Sequence, residues 1–316
     1  MKVLVTGAAG FIGSNVVNEF IKRKIPIIGV DCFVESYSLE LKKQNIVPMQ
    51  ESPIAEFIEG NINDGSLFPV LESKGITHII HLAARAGVRE SSIVPREYLE
   101  TNILGTLNVL EFAKKIGAKK VILASTSSAY GKNTPPFKED MNISTPLSIY
   151  SASKAGAENL AHAFHNIHKL PIVVLRFFTV YGPGGRPDMA VYKFSKLISE
   201  GKEIEVYGDG GAKRDYTFVL DIVQGILLAM ESEIDYAVFN LGHNESKSVD
   251  ELVSIIEKNL GKKAIIKNSP KRDEDPDVTL ADISKAKKIL RYSPKINLEE
   301  GVKKFIEWFN KTQINE

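Results

Sequence analysis

Val3-Leu-Val-Thr-Gly7-Ala-Ala-Gly10-Phe11-Ile12-Gly13-Ser-Asn15 opens the chain with an apolar run and then three glycines at intervals of three. The run reads as a buried first strand, the glycines as a tight turn, and Phe11 onward as the start of a helix. Gly7 permits the turn, Gly10 lets backbone approach a diphosphate, and Gly13 lets the helix pack against the strand. The helix N-terminus then aims its N–H groups at the phosphates. A second apolar run, Ile27-Ile-Gly-Val30, ends at Asp31. A carboxylate there accepts hydrogen bonds from the adenosine ribose hydroxyls, which favours NAD over NADP.

The 316 residues suffice for a large core and two lobes. With 40 basic and 39 acidic residues the formal charge is +1, and no basic stripe argues for nucleic acid. The single cysteine, Cys32, excludes an internal disulfide and suits a reducing compartment. It directly follows Asp31 and is expected near the adenosine rather than in redox chemistry. Strand-forming residues begin at once, so no signal peptide is expected, and no apolar run approaches the roughly 18 residues of a membrane span. A soluble cytoplasmic protein is expected.

Outward from the glycines, strand-like runs at 2–6, 26–30, 56–59, 77–82, 120–125 and 171–176 alternate with helical patterns near 12–23, 64–73, 97–115 and 149–168. Such alternation predicts an α/β fold: a Rossmann-type, doubly wound parallel sheet. The rest is richer in Gly and Pro, near 182–187 and 208–211, with helices near 189–200, 218–231, 248–259, 282–290 and 298–309. It reads as a smaller α/β substrate-binding lobe at the strand C-termini. The expected domains are 1–178 and 179–316, with 215–240 able to return to the first.

Tyr150-Ser-Ala-Ser-Lys154 falls on a predicted helix, where i,i+4 spacing puts phenol and ammonium on one face. A free tyrosine titrates near pH ~10 and a nearby cation favours its phenolate, so the pair suits proton abstraction at neutral pH. Lys154 is also placed to hydrogen-bond the nicotinamide ribose. Ala124-Ser-Thr126-Ser127-Ser128-Ala-Tyr130-Gly131 closes a predicted strand, so that its hydroxyls project toward the site. Thr126 or Ser127 would donate to the oxygen on the reacting carbon.

Together with His81-Leu-Ala83-Ala84, Asn102 to Thr106 and Ala281-Asp-Ile-Ser-Lys-Ala, these residues give a resemblance to extended short-chain dehydrogenases/reductases of the NAD-dependent sugar-nucleotide epimerase/dehydratase family. The resemblance covers essentially the whole chain. It implies NAD held by Gly7, Gly10, Phe11, Ile12, Gly13, Asp31, Asn61, Ile62, Ala83, Ala84, Asn102, Tyr150 and Lys154. It further implies a UDP-sugar under the second lobe, and a homodimer built on the helices near 97–115 and 149–168. Asn61 stands where the family commonly has Asp, and it still accepts and donates hydrogen bonds.

Thr126-Ser127-Ser128 lacks the carboxylates that sugar-nucleotide dehydratases use for elimination, and the Glu of UDP-glucuronate decarboxylases. Hydroxyls alone suit a hydride shuttle, and therefore epimerisation. Phe177-Phe-Thr179-Val-Tyr-Gly-Pro-Gly-Gly-Arg186-Pro-Asp-Met-Ala190 resembles the UDP-glucuronate 4-epimerase branch, as does Arg85-Ala-Gly-Val-Arg89. A uronate carboxylate wants a planar, two-pronged cation, and Arg186 is the first candidate, with Arg89 second and Thr179 beside them. Oxidation at C4 makes a β-keto acid prone to lose CO2, so this clamp would also hold the carboxylate out of alignment with the ketone. Ser128 is expected at the sugar. By the same resemblance, Arg214 and Arg272 grip the diphosphate and Asp275 a ribose hydroxyl, although Glu274 stands where the family usually has Gly. The expected reaction is reversible interconversion of UDP-glucuronate and UDP-galacturonate through a 4-keto intermediate. The alternatives are a UDP-glucose or UDP-N-acetylglucosamine 4-epimerase and, more remotely, a decarboxylase or a catalytically silent NAD-binding protein. His162, His165 and His168 recur at helical spacing without a carboxylate or cysteine to complete a metal site, so no metal is expected.

Overall fold

The computed structural model describes residues 1–271 and 276–313. The chain begins β1 (Val3–Thr6), α1 (Phe11–Lys22), β2 (Ile27–Asp31), α2 (Leu39–Glu51), β3 (Ala55–Glu59), α3 (Leu67–Glu72) and β4 (His78–His81). Short helices α4 (Glu90–Ile93) and α5 (Pro95–Leu99) lead through a π-helical turn at Glu100–Leu104 into α6 (Gly105–Lys115). Then come β5 (Lys120–Thr126), a 3₁₀ turn at Ser127–Tyr130, α7 (Ile149–His168), β6 (Ile172–Phe177), β7 (Thr179–Tyr181) and α8 (Ala190–Ser199). The remainder is β8 (Glu203–Tyr207), β9 (Lys213–Phe218), α9 (Val219–Glu231), β10 (Tyr236–Leu241), β11 (Ser246–Ser248), α10 (Val249–Leu260), β12 (Ile265–Ser269), α11 (Ser284–Leu290) and α12 (Leu298–Gln313).

Two compact units result. The first comprises Met1–Asn133, Glu139–Arg176 and Val223–Phe239, and the second Thr134–Lys138, Phe177–Ile222 and Asn240–Glu316. A seven-stranded sheet in the order β10-β6-β5-β4-β1-β2-β3 organises the first unit. The order reverses at β1, which pairs in parallel with β2 on one side and β4 on the other, the arrangement that opens a crevice beyond the strand C-termini. β2–β3 and β4–β5 are parallel as well. β1 is buried throughout because both faces of the sheet are covered, and Leu4, Ile28, Ile79, Val121, Ile172 and Val174 pack in one core cluster.

Two elements depart from the expectations. The segment 97–115 is not one helix. Val94, at φ −122° and ψ 57°, is not helical, Pro95 starts α5 at a position where its missing N–H costs nothing, and the ladder widens to π at Glu100–Leu104 before α6. α2 has no clear apolar period to announce it: only Leu41, Lys42, Ile46 and Met49 are buried, and Pro48 lies inside it. Ser38 caps its start by accepting the Leu41 N–H.

In the second unit, β11-β9-β7 form one small sheet and β12-β8 another. Asp215 of β9 is fully buried and accepts hydrogen bonds from the N–H groups of His243, Asn244 and Ala281 and from the Thr217 hydroxyl. One carboxylate thereby ties three segments of this unit together. Among the described residues, no helix is long and apolar enough to cross a membrane.

Candidate active site

Gly7 follows β1 with φ +75°, and a side-chain carbon there would lie 2.7 Å from the backbone nitrogen of Ala83. A β-carbon at Gly13 would sit 2.0 Å from the Gly7 carbonyl oxygen. Only hydrogen fits at either position, so α1 starts directly over the turn. Gly10 is its N-cap, with no side-chain cap and no acidic residue in the first turn. Those first N–H groups carry the positive end of the helix. Asp31 ends β2 with its carboxylate accepting from the N–H of Ala9 and of Phe33, at 3.1 and 2.9 Å, which holds it against the glycine turn. A cradle that any β-carbon would fill, an unopposed helix N-terminus and a carboxylate at the second strand end together suit a dinucleotide. Ile62 is buried core, while Asn61 is exposed and accepts the Asn63 N–H.

Asn102 lies in the π turn and is 1% exposed. Its amide accepts the Arg85 N–H and donates to the Arg85 carbonyl and to Ser153 Oγ, joining the segment after β4 to α7. The widened turn brings this side chain to the place where all three bonds are made.

α7 begins at Ile149, capped by Ser148 accepting the Ser151 N–H, so Tyr150 stands in its first turn and Lys154 one turn on. The Tyr150 ring meets Tyr98 edge-on, with centroids 6.2 Å apart. Tyr98 is itself fully buried and donates to Glu90. Lys154 is buried too. Burial pulls its ammonium down to about 8, against the Glu158 carboxylate one turn further on, which favours the charge. His81, at the end of β4, bridges Thr6 Oγ1 (2.7 Å) and Thr106 Oγ1 (3.1 Å). Burial first, and then the Lys154 charge, push it down to about 3, so it is neutral.

Thr126 ends β5 and caps the following 3₁₀ turn: its Oγ1 accepts the Ser128 N–H at 3.1 Å. With that lone pair engaged, its own hydrogen remains for donation. Ser127 and Ser128 are half-buried in the same turn.

Beneath these groups lies a network that the sequence reading did not identify. Arg176 of β6 makes a two-pronged ion pair with Glu158 of α7, at 2.7 to 3.2 Å, and both side chains are 4% exposed. Glu158 also accepts from Ser125, next to Thr126, and Arg176 donates to the Tyr130 hydroxyl. The pair thereby fastens α7 to the strand and turn that carry the hydroxyls. Removing one partner of such a buried pair costs about 3–5 kcal/mol. A signal was present: a lone Arg inside the apolar run Ile172–Phe177, and a Glu one helical turn beyond Lys154.

Among the other candidates of the first unit, Arg89 is exposed at the start of α4, and the neighbouring Arg85 pairs with Glu90 and Glu97. His162 and His165 pack on the Tyr236 ring, and the described residues contain no group of three metal-ligating side chains. The second unit holds Thr179 at the start of β7, Arg214 on β9, and Arg186. Arg214 Nη1 donates to the carbonyls of Lys213 and Pro276. Arg186 Nε and Nη2 meet Asp188 Oδ1 and Oδ2 at 3.0 and 2.8 Å. Arg272 and Asp275 lie outside the described residues.

Comparison with known proteins agrees with this geometry. Residues 3–242 match the model of the NAD dependent epimerase/dehydratase family. The chain is 43% identical over 307 residues to a UDP-glucuronate 4-epimerase of Thermodesulfobacterium geofontis, covering 96% of this chain and 95% of that protein. Its fold is similar to the crystal structure of the UDP-glucuronic acid 4-epimerase of Bacillus cereus in complex with UDP-glucuronic acid and NAD (TM-score 0.93, 37% identity, 99% and 100% covered). It is also similar to the UDP-glucose 4-epimerase of Thermotoga maritima with UDP-glucose (TM-score 0.90, 35% identity, 99% and 100% covered). The fold, the glycine turn with Asp31, the Tyr150–Lys154 pair and these likenesses lead to one conclusion: the chain belongs to the NAD-dependent epimerase/dehydratase family.

Proposed function

We propose that this protein is an NAD-dependent isomerase that interconverts UDP-glucuronate and UDP-galacturonate by inverting C4. The observation that carries this reading is Tyr150 one turn before a buried Lys154, beside a strand end bearing hydroxyls and no carboxylate. Relatives that are 4-epimerases of UDP-glucuronate support it.

NAD would be held by the Gly7–Gly13 turn, Asp31 and Asn102, and when bound it would supply a reversible hydride acceptor, so the cycle has no net redox. Tyr150 removes the C4 hydroxyl proton as the C4 hydrogen leaves and returns it when reduction comes from the other face. Thr126, with Ser127 beside it, donates to the C4 oxygen, and Ser128 meets the sugar. Lys154 holds the cofactor ribose and favours the phenolate. Arg186 and Thr179 take the uronate carboxylate, Arg89 assists, and Arg214, Arg272 and Asp275 serve the nucleotide end. The active unit is a homodimer on α5, the π turn, α6 and α7, where Leu99, Leu104 and Ile149 leave 44%, 52% and 38% of their surface exposed.

Incubating the purified protein with UDP-glucuronate and no added cofactor, followed by NMR of the sugar, tests the reading. UDP-galacturonate is the expected product. A pentose as main product would make the enzyme a decarboxylase. Turnover of UDP-glucose in preference would make it a neutral-sugar epimerase, the second reading that the Thermotoga likeness keeps in play.

A further inference from the structure

Arg186-Pro187-Asp188-Met189 is a β-turn: the Met189 N–H donates to the Arg186 carbonyl at 3.1 Å, with Pro187 at the second position, where its fixed φ suits the bend. The turn folds Asp188 back onto Arg186, and both carboxylate oxygens engage the guanidinium, Oδ1 on Nε at 3.0 Å and Oδ2 on Nη2 at 2.8 Å. This is the planar two-pronged pairing that a substrate carboxylate would make. The arginine side chain is 18% exposed and the aspartate 51%. Asp188 therefore has room to leave while Arg186 stays in place.

We propose that Asp188 is a tethered competitor for the arginine that reads the uronate carboxylate, displaced each time a charged sugar binds. The inference rests on Arg186 as the carboxylate-binding residue. Because the competitor is carried on the same turn, its local concentration is fixed and no diffusing anion is needed to close the fork. Its cost falls on charged sugars alone: a sugar with a neutral C6 hydroxymethyl group has no carboxylate with which to replace it. Substrate and product carry the same carboxylate, so binding of both is weakened alike. The benefit is departure. Asp188 reoccupies the fork as the product leaves, which shortens the lifetime of a bidentate ion pair that would otherwise hold the product.

The test uses the full-length, NAD-loaded protein and calorimetric titration with UDP-glucuronate and with UDP-glucose, for wild type, Asp188→Asn and Arg186→Ala. Asp188→Asn is expected to tighten UDP-glucuronate about two- to five-fold, the range of a half-exposed ion pair, and to leave UDP-glucose unchanged. Arg186→Ala is expected to weaken UDP-glucuronate alone. Unchanged or weaker UDP-glucuronate binding by Asp188→Asn, while Arg186→Ala still loses it, would overturn the competitor and leave Asp188 as a support for the arginine. If Arg186→Ala binds UDP-glucuronate normally, Arg186 is not the carboxylate reader, and that reading fails first. Equal tightening of both sugars would also overturn the proposal, since the effect would then not pass through the carboxylate.

Discussion

Tyr150 and Lys154 were legible as a pair because helical spacing is a local property, but the state of the lysine was not. Burial pulls the ammonium down to about 8, and Glu158 limits the fall. Tyr150→Phe removes the hydroxyl proposed to accept the C4 proton and keeps the ring that packs against Tyr98. Turnover is expected to fall by roughly 10²–10⁴-fold with NAD content unchanged, measured by NMR of the sugar and by nucleotide released on denaturation. Full activity in that variant would end the mechanism. His81 makes a second prediction. Its folded value, about 3, lies below the ordinary 6.5, so the unfolded chain takes up a proton there first. The contribution is fully present above pH 6.5 and is lost as pH falls toward 3, about 3 kcal/mol of it by pH 4. In His81→Gln, urea unfolding should lose correspondingly less stability between pH 7 and pH 4 than in wild type. Parallel losses in the two proteins would show that the imidazole is not buried neutral.

Among the elements, β1, the glycine turn and α1 carry their instructions in sequence. A short apolar run, a residue free to adopt positive φ and a glycine under the helix are needed within one strand–helix unit. Gly13→Ala places a carbon 2.0 Å from the Gly7 carbonyl oxygen, so the helix must shift. The expected cost is about 1–3 kcal/mol, together with loss of co-purifying NAD. Gly65→Ala, where no atom lies within 4 Å, serves as the control and should change neither. Equal behaviour of the two variants would mean that the turn tolerates a side chain. The π turn and α2 were not legible. A π turn differs from α by one residue in hydrogen-bond register, which apolar spacing does not register, and Asn102 reveals its purpose only once Arg85 and Ser153 are beside it. α2 buries too few residues to set a period.

For the molecule as a whole, the proposed homodimer would cover the exposed Leu99, Leu104 and Ile149. Leu104→Glu, a substitution at a half-exposed site, should convert a dimer to monomer in sedimentation velocity while leaving the monomer folded by circular dichroism. An unchanged sedimentation coefficient would move the interface elsewhere. Spacing along the chain pointed to the parallel sheet, the glycine turn and the Tyr–Lys pair, since strand alternation, glycine intervals and helical periodicity act over a few residues, and the family came from the resemblance of its motifs. Which buried charge meets which was settled only by packing. Glu158 meets Arg176, and Asp215 gathers Ala281, His243 and Asn244, once distant segments have come together away from water. Desolvation makes an unpaired charge there prohibitive, so the folded surroundings choose the partner and set the protonation, and neither is written in the order of residues.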